Sequence, residues 1–315
     1  MTSRTINIAL CTDENFTIPA LVCITSIFEN NKDEDCHIFV LTDGISDYAR
    51  GKFKKLAAEY CRCIDIKTID NTCFYGLAVS ERYPISIYYR FLLPQMLREL
   101  HHVLYLDCDI IVRQSLKSLF DINLDNYALG AVVAESCDLV KWSNDLKLTT
   151  PFFNSGVLLM NLDYWREHDS TRHLVKWLSE SHCNMWLPDQ YALNKVFEGE
   201  VIYLDYSYNF QREWTTALEK SGMHFSRWND ITTALQNPTI VHFTEAEKPW
   251  FKECKNPFQK EFLYYARLHD FIGFKFLKRY GWEYKCASIT DRIGLKFRYY
   301  AERWKKHLIK KIRVS

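Results

Sequence analysis

Asp107 and Asp109 stand one residue apart in H-V-L-Y-L-D-C-D-I-I-V (residues 102–112), with only Cys108 between them. Two carboxylates at the end of a short apolar run suit a hard divalent cation, one that can also grip a diphosphate. Context carries the argument, because a carboxylate pair embedded in apolar sequence needs a partner to offset its desolvation. The chain supplies its own control: Asp33 and Asp35 have the same spacing but lie in the polar run N-N-K-D-E-D, which reads as a solvated loop. His242 closes another apolar run, where a lone histidine is more often core. It gains weight from Lys248-Pro249-Trp250 in the following loop, a cation for a phosphate beside an aromatic wall. Asp13 and Asn15 follow the first apolar run, where short polar side chains either hydrogen-bond a nucleobase or form a turn. Asn154-Ser155-Gly156 reads as a tight turn before a strand. Asp189-Gln190 opens a helix that Asp189 can cap.

The elements that must position these residues follow from periodicity. Strands are predicted at 5–10, 37–41 and 64–69. A helix with Thr17 as N-cap and Pro19 in its first turn separates the first two, and one capped by Ser46 and running to about 60 separates the next. That alternation is the pattern of a parallel, doubly wound sheet, in which ligands bind beyond the C-terminal ends of strands. The apolar runs at 103–106 and 110–112 read as buried strand. A helix is expected over 85–100 carrying Arg90, despite Pro94. Further strands are expected at 128–133, 156–161, 201–204 and 239–243, and further helices at 162–181 (with Trp165 and Trp177 as core), 189–197 and 258–271.

Composition bounds the function. A 315-residue chain that is 48% hydrophobic and 15% aromatic can bury a substantial core and is neither disordered nor fibrous. Its eleven cysteines are scattered and many lie in apolar runs, as at Cys11, Cys23 and Cys108, which points to a reducing compartment rather than a disulfide framework. No secretory signal precedes the first strand, and no apolar run approaches the ~20 residues needed to cross a bilayer. A cytoplasmic protein is expected. Phosphate loops of the G-x-x-x-x-G-K type and dinucleotide G-x-G-x-x-G motifs are absent from the sequence, and no nucleic-acid partner is expected.

The net charge of +1 hides a segregation: residues 271–315 carry eight Lys and five Arg against Glu283, Asp291 and Glu302. From Ile289, the apolar residues Ile293, Phe297, Tyr300, Trp304, Leu308 and Ile312 recur every three or four positions, opposite a basic face. This amphipathic helix suits an anionic membrane surface, its rival being a stripe docked on the rest of the protein. The expected organisation is a catalytic domain over 1–255 and a helical, basic and aromatic region over 256–315.

Six motifs in order tie these pieces together: C-T-D-E-N-F from Cys11, Tyr89-Arg90, V-L-Y-L-D-C-D-I-I-V-R from Val103, F-N-S-G-V-L-L-M-N from Phe153, D-Q-Y-A-L-N from Asp189 and H-F-T-E-A-E-K-P-W from His242. They resemble the family 8 glycosyltransferases, retaining enzymes of the GT-A fold, and within them the bacterial branch that adds galactose or glucose to lipopolysaccharide or lipooligosaccharide. The resemblance implies a Rossmann-like, mixed but mainly parallel α/β sheet flanked by helices. It further implies a UDP-galactose or UDP-glucose donor, a lipid-linked or oligosaccharide acceptor, and Mn²⁺, with Mg²⁺ as a substitute. Asp107, Asp109 and His242 resemble the metal ligands, and Lys248 a second cation at the β-phosphate. Cys11, Thr12, Asp13, Asn15 and Cys108 fall at the nucleotide. Arg90, Asn154, Ser155, Asp189 and Gln190 fall at the donor sugar, with Gln190 beneath the anomeric carbon and Gln190, Asp189 and Asp107 as the implied catalytic residues. One departure is Glu245, where related galactosyltransferases have a glycine; residues 139–150, expected near the acceptor, match nothing assignable. Two rivals remain. A D-x-D phosphohydrolase would carry its pair on the first strand with Thr or Val where Ile111 stands. An inactive nucleotide-sugar-binding or partner-binding protein of the same fold would lack turnover.

Overall fold

β1 (Ile6–Cys11) is apolar apart from Asn7 and almost wholly buried, as a strand with helices over both faces of its sheet must be. The computed structural model describes residues 5–79, 84–134, 143–181, 187–211, 228–244, 248–251, 254–269 and 271. α1 (Thr17–Asn30) follows a single 3-10 turn, Glu14–Phe16. Thr17 is the first residue of α1 and not its cap; Phe16 stands at the cap without a side-chain bond, and the Asp13 carboxylate caps the 3-10 turn instead, accepting the Phe16 N–H at 3.0 Å. β2 (Cys36–Thr42), α2 (Asp47–Tyr60) and β3 (Cys63–Thr68) complete the first alternation, and Ser46 Oγ caps α2 at the Ala49 N–H as expected.

The helix expected over 85–100 is instead a 3-10 segment, Ile85–Leu92, followed by the short α3 (Leu93–Met96). Pro94 explains the difference, because its ring collides with the carbonyl four residues back and cannot continue an α-helix through Arg90. The apolar runs around the carboxylates are two strands, β4 (His102–Leu106) and β5 (Ile110–Val112). They belong to different sheets, and Asp107-Cys108-Asp109 is the crossing between them.

α4 (Lys117–Phe120), β6 (Leu129–Val133) and β7 (Phe153–Asn161) come next. β7 begins earlier than expected, so Asn154 and Ser155 lie within a strand and not in a turn. The helix expected over 162–181 is two, α5 (Leu162–Glu167) and α6 (Ser170–Glu180), broken where Asp169 adopts a left-handed φ of 49°. Trp165 is core, its indole N–H donating to Ala128 O at 3.0 Å. α7 (Pro188–Val196), β8 (Val201–Tyr203), β9 (Phe210–Gln211), α8 (Trp228–Gln236) and β10 (Ile240–His242) follow.

The larger sheet has the order β3-β2-β1-β4-β7-β6-β8 and the smaller β5-β10-β9. Within the larger, β7 is antiparallel to β4 and β6, and the other pairings are parallel. This is the mixed, mainly parallel GT-A-type architecture. Because β7 runs against β4, its first residues lie at the C-terminal end of β4, beside Asp107. Asp33 and Asp35 are exposed. Among the described residues Cys11, Cys23, Cys36 and Cys108 are buried free thiols, Cys61, Cys63 and Cys73 are exposed ones, and Cys254 is buried.

The chain divides into two compact units, residues 1–245 and 246–315. In the second, α9 (Gln259–Leu268) places Phe262 against the Trp250 ring at 5.7 Å, and the Gln259 amide holds Pro249 O and Phe251 O. Glu245 and the basic helix expected from 289 lie outside the described residues. Among the described residues no helix is long and apolar enough to cross a membrane.

Candidate active site

One strand pairing brings the acidic pair to its histidine. β10 runs antiparallel to β5 with His242 opposite Ile110, and the Phe243 N–H donates to Asp109 O at 3.0 Å. His242 Nε2 then lies 3.3 Å from Asp109 Oδ1 and 3.6 Å from Asp107 Oδ2. One ligand atom from each of the three residues falls within 4.8 Å of the others, the only such cluster among the described residues. In an octahedral shell with bonds of about 2.1 Å, adjacent donors sit about 3 Å apart. The spacing therefore fits a divalent cation, and a set of two carboxylates and an imidazole suits a first-row metal better than Ca²⁺.

Gly156 makes the cluster possible. The Asp107 N–H donates to Gly156 O at 2.8 Å, pinning β7 against the crossing. A Cβ at 156 would lie 2.0 Å from His242 Cε1 and 2.8 Å from Asp107 Oδ2. The glycine was read in sequence as part of a turn; its use is steric room for the imidazole.

Arg90 organises the other side. The fork is 4% exposed; its Nε donates to Ile87 O at 3.0 Å and Nη1 to Ser155 O at 2.6 Å, while Nη2 faces Asp107 Oδ1 at 3.2 Å and Asp189 Oδ2 at 3.4 Å. Its guanidinium also stacks 4.3 Å above the Tyr105 ring. Tyr105, which sequence alone files as core, donates its hydroxyl to Asp107 Oδ1 at 2.6 Å. Burial drives the Tyr105 pKa well above the usual phenol range, so this donor stays protonated. Burial also raises the Asp189 pKa, against the pull of Arg90. Asp189 is thus a buried partner of Arg90 and not a helix cap; no side chain caps α7.

Gln190, one residue on, turns its Oε1 toward β7. It accepts the Ser155 N–H at 2.9 Å and lies 3.2 Å from Ser155 Oγ and 3.3 Å from Asn154 Nδ2. Asn154 Oδ1 in turn accepts the Gly156 N–H at 2.9 Å and Asn209 Nδ2 at 2.8 Å. Asn209 Oδ1 lies 3.1 Å from His242 Nδ1. Asn209 sits in an aromatic stretch that offered no signal beyond its own polarity.

Cys108 and Cys11 are structural neighbours. The Cys108 thiol donates to Cys11 O at 3.2 Å; burial pushes the Cys11 pKa up to about 12 and that of Cys108 far above the usual thiol range, so both stay neutral. Thr12 is buried with its N–H on Leu41 O, Asp13 is half-buried and Asn15 is exposed. Burial raises the Asp13 pKa, opposed by the Phe16 and Asn15 N–H groups. Lys248 belongs to the second unit. The first unit thus gathers Arg90, Asp107, Asp109, Asn154, Ser155, Asp189, Gln190 and His242 into one continuous network, with Cys11 to Asn15 following the end of the adjacent β1.

The model of the family described as "Glycosyl transferase family 8" matches residues 7–254. A lipopolysaccharide 1,2-glucosyltransferase of Escherichia coli is 30% identical over 257 residues, covering 78% of this chain and 74% of that protein. A lipopolysaccharide 1,3-galactosyltransferase of Salmonella typhimurium is 26% identical over 271 residues, covering 82% and 76%. Among solved structures, the galactosyltransferase LgtC in complex with donor and acceptor sugar analogs superposes with a TM-score of 0.74 at 27% identity, over 84% of this chain and 96% of that one.

Proposed function

The chain belongs to glycosyl transferase family 8, and from that premise we propose that it transfers galactose or glucose from a UDP-sugar, with retention, to a lipopolysaccharide or other surface glycan acceptor. The convergence of Asp107, Asp109 and His242 carries this reading, since it supplies the ligands that a diphosphate leaving group needs a cation to share. Asp107, Asp109 and His242 would hold Mn²⁺, or Mg²⁺ in its place. Bound there, such a cation stabilises the charge that develops on the UDP β-phosphate as the glycosidic bond breaks.

The remaining roles fall to the chain itself. Cys11 to Asn15, with Cys108 behind them, would line the uridine, and Lys248 would add charge at the β-phosphate. Arg90, Asn154, Ser155 and Asp189 would surround the donor sugar and orient it toward the acceptor hydroxyl. Gln190 would sit beneath the anomeric carbon without bonding to it. Its Oε1 already accepts the Ser155 N–H and the Asn154 amide, which occupies the lone pairs a nucleophile would use and favours attack from the leaving-group side. A glycosyl adduct trapped on Gln190 would overturn that role.

The basic C-terminal region would hold the enzyme on the inner face of the cytoplasmic membrane, beside a lipid-linked acceptor. Truncation from about residue 290 should leave the protein soluble and abolish binding to anionic liposomes; unchanged binding would refute the attachment. The central test is UDP release from UDP-galactose and UDP-glucose with Mn²⁺, with and without EDTA. Metal-independent turnover refutes the mechanism, and tight UDP binding without turnover marks an inactive binder of the same fold.

A further inference from the structure

We propose that Asn209 is a positioning residue, one that fixes His242 as the tautomer protonated on Nδ1 and through that nitrogen links the imidazole to Asn154 and Gln190. The inference rests on the metal-site reading above. It begins from a group whose polarity admits no choice, the Gly156 backbone N–H, which must donate and lies 2.9 Å from one terminal atom of the Asn154 amide. That atom is therefore oxygen. The same oxygen lies 2.8 Å from the Asn209 amide, so the Asn209 atom facing it is the NH₂ group, since two amide oxygens at that distance would repel. The other end of Asn209 is then its oxygen, and it lies 3.1 Å from His242 Nδ1. An amide oxygen can only accept, so Nδ1 carries the proton. In a neutral imidazole the single remaining lone pair is on Nε2, the nitrogen that faces Asp107 and Asp109.

Burial makes this arrangement expensive to change. Asn209 is 0% exposed and His242 3% exposed, so turning the Asn209 amide over would set its oxygen against Asn154 Oδ1 and its NH₂ group against the His242 Nδ1–H. Metal-bound histidines generally donate the second ring N–H to such an outer partner, which sets tautomer and ring orientation. Here the partner continues: Asn154 donates its NH₂ toward Gln190 Oε1 at 3.3 Å. A single polarised chain thus runs from the histidine of the cation site to the glutamine of α7. Asn209 is the link that reads the orientation of one end and imposes it on the other.

The two functions of Asn209 separate in two variants. Asn209→Ala removes both the acceptor for His242 and the donor for Asn154. The near-isosteric Asn209→Asp keeps an acceptor for the His242 Nδ1–H but sets a second carboxylate oxygen against Asn154 Oδ1, which Gly156 holds in place. Mn²⁺ affinity is measured in the presence of UDP by electron paramagnetic resonance of the free ion, alongside kcat and KM for the donor and a thermal melt. Asn209→Ala should bind Mn²⁺ roughly 10–100-fold more weakly, the usual effect of removing an outer-shell partner. Asn209→Asp should bind at least as tightly as wild type yet lose at least about 10-fold in kcat, because the amide chain to Gln190 is broken. If the alanine variant fails to fold, the aspartate variant decides alone. Wild-type Mn²⁺ affinity in a folded Asn209→Ala overturns the proposal, as does weakened affinity or unchanged kcat in Asn209→Asp. A wild-type protein without Mn²⁺ affinity overturns the metal-site reading itself.

Discussion

Gly156→Ala tests the cation site by one methyl group placed where the structure has no room. The added Cβ would stand 2.0 Å from His242 Cε1 and 2.7 Å from Nδ1, whereas carbon atoms in contact settle at about 3.5–4.0 Å. Either the imidazole or β7 must yield by about 1.5 Å. Neither is loose. β7 is tied to the crossing through the Asp107 N–H, and His242 is held by the β5 pairing and by Asn209. A metal ligand must hold its distance to within about 0.2 Å, so a shift of that size removes His242 from the set. Overpacking of this kind costs about 1–3 kcal/mol, or very roughly 2–4 °C in Tm for each kcal/mol. The variant should therefore fold, melt several degrees lower, and lose most Mn²⁺ affinity. Donor turnover should fall at least about 100-fold, as expected when reacting groups are misplaced by an ångström or more. Calorimetric titration with Mn²⁺ and UDP, with a melt on the same sample, measures both quantities. Wild-type Mn²⁺ affinity in a folded Gly156→Ala would falsify the steric argument.

Other perturbations separate the site from its surroundings. Asp107→Ala, Asp109→Ala and His242→Ala should each abolish Mn²⁺-dependent UDP release, while Asp33→Ala and Asp35→Ala, both on exposed positions, should leave activity intact and alter stability by no more than about 0.5 kcal/mol. Arg90→Met strands two carboxylates and should cost about 3–5 kcal/mol by denaturant titration at neutral pH. Because burial already raises the Asp189 pKa, and loss of Arg90 raises it further, Asp189 can take up a proton in the folded state, so that deficit should shrink as the pH falls; a pH-independent deficit would contradict it. Glu198 is held by the Thr149 N–H and hydroxyl, which with Lys195 bring its pKa from 4.5 down to about 2. The stability it contributes is complete above the unfolded value and lost as the pH falls from about 4.5 to about 2. Glu198→Gln should accordingly lose more stability relative to wild type at pH 7 than at pH 2, as followed by urea titration.

What sequence could and could not reveal follows from the range of the forces involved. β1 and β2 were legible to within a residue or two because a strand buried on both faces announces itself by local apolarity, and β3, a half-exposed edge strand, by the alternation of Ile64 and Ile66 with polar residues. Asp107 and Asp109 were legible for the complementary reason, charge where apolarity prevails. The errors fall where a distant partner decides. Nothing near Pro188 says that Asp189 faces Arg90, so its position in the first turn of α7 made it look like a cap. Asn154 looked like a turn residue because the strand character of that end of β7 comes from β6, some twenty positions earlier in the chain, where Val133 pairs with Phe153. Asp169 interrupts a helix by a left-handed residue that carries no glycine to advertise it. Tyr105, Gly156 and Asn209 were missed as site residues because each is ordinary by type, and their importance is a matter of what stands within 3 Å.

Charge sets the order in which the site can fill. Asp107, Asp109 and Asp189 set three carboxyl groups against the single guanidinium of Arg90 in a small and largely buried volume. A diphosphate brought to that surface adds negative charge to negative charge where the local dielectric is far below that of water. One divalent cation offsets that charge and offers the phosphates a ligand position; no described side chain of the cluster besides Arg90 carries a fixed positive charge, and Arg90 is already committed to Asp107 and Asp189. UDP affinity should therefore depend on the cation much more than the affinity for uridine, which has no phosphate to repel. Calorimetry of both ligands with Mn²⁺ and with EDTA measures the difference, and equal metal dependence for the two would show that the acidic cluster does not face the diphosphate.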